Sequence, residues 1–96
     1  MPHVIWSQDA QFGLQRAYHF LAARDKQLAK RALRAIHDGA KLLGSRPLLG
    51  RPDASHPSSK REFLIRFGRN GYILQYEIDG DKVVIVAIRH QRQAHW

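Results

Sequence analysis

The sequence predicts an α+β domain in which a helical hairpin packs on one face of a small antiparallel sheet. Three observations support this prediction. Apolar residues in the first half recur at the spacing of helices, whereas those in the second half alternate with the period of strands. The two predicted helices are joined so tightly that they must lie side by side. The elements therefore follow the order β-α-α-β-β-β, with one two-layer core.

The amino-terminal part gives the first strand and the first helix. Residues 3–6, HVIW, are strand-like, and Ser7 suits a helix N-cap because its hydroxyl can accept a backbone N–H. Gly13 weakens the following helix only slightly. Its apolar residues share one face: Ala10, Leu14, Ala17, Tyr18, Leu21 and Ala22.

A second helix follows an interruption at residues 23–27, in which Asp25 is the predicted N-cap. The helix is expected to end near Gly44, before Pro47. Its buried side is predicted to carry Leu28, Ala32, Ile36, Ala40 and Leu43.

The carboxyl-terminal part gives a loop and three strands. Residues 47–59, PLLGRPDASHPSS, contain three prolines and three serines, so they can form neither a helix nor an interior strand. Residues 60–67 alternate, with Phe63, Ile65 and Phe67 on one face. After a turn at 68–71, residues 71–78 alternate again, and Asp79-Gly80 indicates a tight hairpin. Residues 83–88 are apolar on both faces, as in an interior strand.

Length and composition restrict the class of protein. The 96 residues fit a single domain, 1–96, and the absence of cysteine excludes disulfides and thiolate metal sites. No apolar run reaches the roughly 18 residues needed to span a membrane, and no signal peptide is evident, so the expected location is the cytoplasm. His90 and His95 lack a third ligand for a metal, and no nucleotide or cofactor motif is present.

The net charge of +8 predicts an anionic partner. Residues 26–61 hold nine of the Lys and Arg residues and only two acids. On the second helix, Lys30, Arg34, His37 and Lys41 form a stripe away from the apolar face. This stripe is either a solvated helix face or a docking surface for an acidic partner.

A second group of cations lies on the predicted strands and at their ends. It consists of Arg61, Arg66, Arg69, Arg89, His90 and Arg92. If the second and last strands lie close together, these side chains could surround one concave patch and bind phosphate or carboxylate. The alternative is that they are ordinary edge cations that keep the sheet soluble. Tyr72 and Tyr76 could stack on bases, but packing against the core is the more usual role of strand tyrosines.

Several segments together resemble the RelE/ParE superfamily of bacterial toxins, which are the toxic halves of type II toxin–antitoxin pairs. These segments are VIWSQDA, LLGSRPLLGRP and REFLIRFGRNGYILQYEIDGDKVVIVAIRHQRQ, and they cover the chain from Val4 to Arg92. The resemblance implies a cytoplasmic toxin neutralised by an acidic antitoxin. That antitoxin would dock on Lys30, Arg34 and Lys41 and on the sheet arginines, and the pair would bind its operator mainly through the antitoxin.

The superfamily divides by target. The ParE-like branch inhibits DNA gyrase without being an enzyme, and its target-binding residues here would be Arg61, Arg66, Arg69, Arg89 and Arg92. The RelE-like branch cuts messenger RNA on the ribosome, and the matching catalytic positions would be Arg66, Arg89 and His90. The long helical hairpin, the G-R-P motif and the absence of a lysine-rich helix and a terminal tyrosine favour the gyrase branch. A non-toxic basic nucleic-acid-binding module is the alternative from another class. His95 and Trp96 have no assigned role.

Overall fold

Two helices lie on one face of a five-stranded sheet in the computed structural model, which describes residues 3–93. The elements are β1 (His3–Trp6), α1 (Gln8–Ala22), α2 (Lys26–Ser45), β2 (Arg51–Pro52), β3 (Arg61–Phe67), β4 (Asn70–Asp79) and β5 (Lys82–His90). The predicted fold class is confirmed. None of the helices among these residues is long and apolar enough to cross a membrane.

Both predicted N-caps are confirmed. The Ser7 hydroxyl accepts a hydrogen bond from the backbone N–H of Ala10 at 3.1 Å. The Asp25 carboxylate accepts from the backbone N–H groups of Gln27 and Leu28 at 3.0 and 3.1 Å. These bonds satisfy donors that have no partner within the helix, and they fix where each helix begins.

The strand order is β1-β5-β4-β3-β2, and β1 pairs with β5 in parallel. The predicted antiparallel pairing is therefore correct for β3 to β5, and β1 joins the sheet as predicted but in the parallel direction. The helical hairpin returns the chain to the end of the sheet where β1 begins, so β3 runs in the same direction as β1. Two antiparallel hairpins then give β5 that direction as well. β5 has neighbours on both edges, as its apolar sequence predicts.

The segment predicted as a loop contains a short strand. In β2, Arg51 pairs with Glu62 and Pro52 with Arg61. β2 lies at the edge of the sheet, where a proline is tolerated because its missing N–H faces away from the ladder. The prediction of an uninterrupted loop over 47–59 is therefore wrong at these two residues.

Two glycines with positive φ form the tight turns of the sheet. Gly68, with φ of +63°, turns β3 into β4, and Gly80, with φ of +61°, turns β4 into β5. A glycine at the first central position is typical of the type II′ hairpin turn. The predicted hairpin at Asp79-Gly80 is confirmed, but its central residues are Gly80 and Asp81.

The core lies between the helices and the sheet. Its largest fully buried side chains are Ile36, Leu43, Leu74, Tyr76, Val83 and Ile85. Tyr72 is also buried, so the packing interpretation of the two strand tyrosines is correct. A Cβ at Gly13 would lie 2.6 Å from Ile88 Cγ2, so α1 approaches β5 more closely than any larger residue would allow.

Candidate binding groove

One end of the sheet gathers the carboxyl ends of β3 and β5 and the start of β4, because Phe67 pairs with Asn70 and Tyr72 with His90. The second half of α1 lies beside this end. Between them is an open groove of about 700 Å³, here called the strand-end groove. Its basic residues are Arg16, Arg24, Arg89, His90 and Arg92, and its apolar residues are Ala17, Phe20, Leu21, Tyr72 and Ile88.

The strand-end groove is strongly cationic. Four arginines and one histidine line it, and no Asp or Glu is among the described residues that do so. Like charges at this density repel one another, and an anionic ligand would relieve that repulsion. Because guanidinium groups bind carboxylate and phosphate in a bidentate manner, both acidic protein segments and nucleic acids fit this chemistry.

Hydrogen bonds hold the chain in place as it leaves β5. The backbone N–H of Gln91 donates to the Gly71 carbonyl at 2.8 Å, and that of Gln93 donates to the His90 carbonyl at 2.9 Å. The Arg89 guanidinium donates to the Gln93 carbonyl. Arg92 Nε donates to Asn70 Oδ1 at 3.3 Å, across to the start of β4. The cations at the end of β5 therefore extend from a well-defined turn.

His90 and Tyr72 are neighbours on the side of the sheet that faces the helices. Their ring centroids are 5.4 Å apart and the rings are nearly perpendicular. The backbone N–H of Arg92 donates to His90 Nδ1 at 3.2 Å, which leaves Nε2 as the nitrogen that carries the proton of the neutral ring. Burial raises the pKa of Tyr72, so its phenol stays protonated at neutral pH.

The rim on α1 combines an aromatic ring with a cation. Phe20 is 59% exposed, and the Arg24 guanidinium carbon lies 5.0 Å from the centre of its ring. An exposed phenylalanine beside a cation can contact a partner that carries both apolar and acidic groups. Arg16, Phe20 and Arg24 were not among the candidates chosen from the sequence. Their spacing of four residues was the available signal, since it places Arg16 and Phe20 on one side of α1, with Arg24 next to Phe20 in the turn that follows the helix.

The cations predicted on the strands do not all lie in the strand-end groove. Arg89, His90 and Arg92 lie in the strand-end groove, and the exposed Arg69 lies in the turn at the same end of the sheet. Arg66 pairs with Gly71 near this end, on the opposite face from Tyr72 and His90, and it is not among the described residues that line the groove. Arg89 pairs with Ile73 and starts from the same face as Arg66, but it does line the groove.

Arg61 lies at the other end of the sheet, where its guanidinium donates to the Gly50 carbonyl at 2.7 Å. The expectation that all these cations surround one patch is therefore wrong for Arg61 and does not hold for Arg66. The cause is that β4 separates β3 from β5 and that Arg61 and Arg66 lie near opposite ends of β3.

The predicted stripe on α2 is exposed to solvent. Lys30, Arg34, His37 and Lys41 all lie on the surface. The His37 ring is 5.7 Å from the Trp6 ring, which brings the stripe close to β1. Both interpretations of the stripe, solvated face and docking surface, are compatible with this position. Of the remaining candidates, His95 and Trp96 lie outside the described residues.

Comparison with known proteins gives concordant results. A family model described as the ParE toxin of the type II toxin–antitoxin system parDE matches residues 4–95. The protein called Toxin RelE3 from Caulobacter vibrioides is 36% identical over 81 residues, which cover 84% of this chain and 85% of that protein. A solved structure described as the chromosomal ParDE TA system from P. aeruginosa matches with a TM-score of 0.73 at 20% identity, covering 94% of this chain and 96% of the other.

Proposed function

We propose that this chain, which belongs to the family of ParE toxins of type II toxin–antitoxin systems, arrests growth by inhibiting DNA gyrase. The strand-end groove is the surface that we assign to this inhibition. A toxin of such a system has a cognate antitoxin as its partner. Arg89 and Arg92, with Arg16 and Arg24 facing them across the groove, are the residues that we assign to the target. Arg66 and Arg69 extend this surface around the end of the sheet.

The observation that supports inhibition by binding, rather than catalysis, is the composition of the groove. Cleavage of RNA by general acid–base catalysis needs one group to take a proton and another to give one. Among the described residues of the groove, only His90 belongs to a type that exchanges protons near neutral pH. The arginines stay charged, and burial raises the pKa of Tyr72, so its phenol is protonated at neutral pH and is not available to take a proton.

The test is a supercoiling assay with purified gyrase and purified toxin. We expect inhibition at micromolar toxin or below. The double variant Arg89→Gln/Arg92→Gln lacks two of the groove arginines, so it should need at least about ten times more protein for the same inhibition. A ten-fold loss corresponds to about 1.4 kcal/mol of binding free energy. Lys26→Gln/Arg31→Gln removes the same charge from the exposed surface of α2 and should inhibit like the wild type. Undiminished supercoiling at micromolar wild-type toxin would reject the proposal.

A ribosome-dependent endoribonuclease is the second candidate, and the specific observation in its favour is that Arg89 and His90 both line the groove. On this alternative, Arg89→Ala and His90→Ala abolish cleavage of messages on translating ribosomes, with Arg66 stabilising phosphate charge from β3, two strands away. Mapping transcript 5′ ends in a reconstituted translation system separates the candidates. Our proposal expects intact messages, whereas new ends that disappear in His90→Ala would favour the nuclease.

Two further expectations follow from the toxin assignment. Both candidate targets are cytoplasmic, so we place the action of the toxin in the cytoplasm. We also expect the toxin–antitoxin complex to bind its own operator mainly through the antitoxin, with the basic toxin adding salt-sensitive attraction. Growth arrest on induction of the toxin alone would exclude the non-toxic nucleic-acid-binding module.

A further inference from the structure

The segment after α2 exposes two adjacent leucines. Leu48 is 69% exposed and Leu49 is 40% exposed. They lie between Pro47 and Gly50, within the LLGSRPLLGRP motif. Residues 47–50 are called the leucine turn below. Single exposed leucines are common on protein surfaces, so the exposure alone indicates nothing. The support beneath this turn is what distinguishes it.

A buried tyrosine fixes the leucine turn from below. Tyr76 is 0% exposed, and its hydroxyl donates to the Pro47 carbonyl at 2.7 Å and accepts from the Gly50 N–H at 2.9 Å. The Arg61 guanidinium donates to the Gly50 carbonyl at 2.7 Å. Gly50 also packs too closely for any side chain, since a Cβ there would lie 2.6 Å from the Glu62 carbonyl oxygen.

These contacts order the turn in the free protein. The two leucines project from a backbone whose conformational entropy has already been lost on folding, so a partner that covers them loses less entropy on binding. The same contacts explain why Arg61 is not available to the strand-end groove.

The charge next to the leucine turn along the chain is mainly positive, with Asp38 before this stretch and the buried Asp53 after it. Between residues 39 and 52 the charged residues are Lys41, Arg46 and Arg51, and there is no acid. Arg46 is exposed, and the Arg51 side chain is 78% exposed although it lies 3.5 Å from Glu62. A partner that covers the leucines therefore gains from carboxylates placed around its apolar contact.

The position of the leucine turn separates it from the strand-end groove. Tyr76 pairs with Arg61 at the start of β3, whereas the groove lies at the end of β3. The turn instead follows the carboxyl end of α2 and continues the cationic stripe of Lys30, Arg34 and Lys41. A segment lying along α2 could reach the turn and leave the groove open.

We propose that the leucine turn is an anchor for the cognate antitoxin. An acidic segment of the antitoxin covers Leu48 and Leu49 with apolar side chains and places carboxylates against Arg46 and Arg51. The inference rests on the toxin–antitoxin pairing in the proposed function and does not depend on gyrase being the target. Two leucines on a rigid turn match a shaped protein pocket better than a fluid lipid surface, so we assign the site to a protein.

The test measures binding of the purified cognate antitoxin to full-length toxin by calorimetry. Leu48→Ala/Leu49→Ala should raise the Kd about 10- to 100-fold, which is the loss expected for two central apolar contacts. Ile5→Ala is the matched control, since Ile5 is 43% exposed on β1, at the opposite edge of the sheet, and it should leave the Kd unchanged. An unchanged Kd in the double variant overturns the proposal.

A second variant tests the support rather than the leucines. Tyr76→Phe keeps the ring and both leucines but removes the hydroxyl that holds the turn. We expect the variant to keep its circular dichroism spectrum and to bind antitoxin several-fold more weakly. Wild-type affinity in a folded Tyr76→Phe protein would overturn the role given to the fixed turn.

Two further readouts separate the possible failures. The leucine double variant should still inhibit gyrase as the wild type does, because the leucine turn lies away from the strand-end groove. If wild-type toxin fails to inhibit gyrase but the double variant still loses antitoxin, only the gyrase target is wrong. Binding of wild-type toxin to phosphatidylglycerol vesicles that disappears in the double variant would overturn the assignment to a protein partner.

Discussion

Asp53 is a buried carboxylate that joins the segment after β2 to the outer face of the sheet. Gln75 Nε2 and His56 Nδ1 each lie 3.2 Å from its Oδ2 atom, and the backbone N–H of Ser55 lies 3.5 Å from Oδ1. Burial alone would raise the pKa of Asp53. The hydrogen bonds from His56, Ser55 and Gln75, with the charge of His56, outweigh burial and hold this pKa below its ordinary value.

Replacing Asp53 by Asn should therefore destabilise the protein in a pH-dependent way. The substitution puts an amide N–H₂ near the Gln75 amide and should cost about 1 kcal/mol at pH 7. The folded-state pKa lies below the unfolded value of 3.8, so the carboxylate stabilises the fold above that value and loses its effect as the pH falls through the folded pKa. Urea unfolding of wild type and variant should thus differ most at pH 7, and the difference should shrink as the pH falls below 3.8.

The exposed Asp79 supplies the control for this measurement. Asp79→Asn should change the free energy of unfolding by less than about 0.5 kcal/mol at either pH. A constant difference between wild type and Asp53→Asn from pH 7 to pH 3 would contradict the role of the ionised carboxylate.

Gln75 is a residue whose burial cannot be predicted from the sequence pattern. Strand alternation correctly places Gln75 opposite Leu74 and Tyr76, on the face away from the helices. Alternation does not reveal that Gln75 is buried, because its hydrogen-bonding partner Asp53 is 22 residues earlier in the chain. Patterns with periods of two and 3.6 report local geometry, whereas this contact depends on how a proline-rich segment folds back over the sheet.

At the scale of elements, the packing of α1 on β5 depends on Gly13. From the sequence this glycine is only a weak point in a helix. In the structure it lets the helix backbone approach Ile88. Gly13→Val should therefore lower the free energy of unfolding by about 1–3 kcal/mol through overpacking, although valine has the higher helix propensity.

Chemical unfolding of Gly13→Val beside Gln15→Val measures this effect. Gln15 is exposed on the same helix, so valine there should change stability by well under about 1 kcal/mol. Equal stabilities of the two variants would show that the close approach of α1 to β5 contributes little.

The elements that the sequence predicts well are those with local signals. Ser7 and Asp25 mark the helix starts because a cap needs only a side chain and the next turn of backbone. The parallel pairing of β1 with β5 and the two-residue β2 have no such signal. Both are set by the path of the chain between distant segments, and β2 has too few residues to show any periodicity.

At the scale of the whole molecule, the positive charge is divided between two surfaces. The strand-end groove carries Arg16, Arg24, Arg89 and Arg92, whereas the helix α2 surface carries Lys30, Arg34 and Lys41 and leads to the leucine turn. The sequence predicts the charge excess and half of the groove arginines. It does not identify Arg16 and Arg24 as partners of the β5 cations, because only the packing of α1 beside β5 brings them together.

The central claim is that the strand-end groove, and not the basic surface of α2, engages the target. The direct measurement compares inhibition of gyrase supercoiling by two purified variants, Arg16→Gln/Arg24→Gln/Arg89→Gln/Arg92→Gln and Lys30→Gln/Arg34→Gln/Lys41→Gln. We predict that the groove variant loses inhibition by about 100-fold or more, as expected when several contacts of an interface are removed together, and that the α2 variant inhibits like the wild type. Full inhibition by the groove variant, or its loss in the α2 variant alone, would contradict the claim.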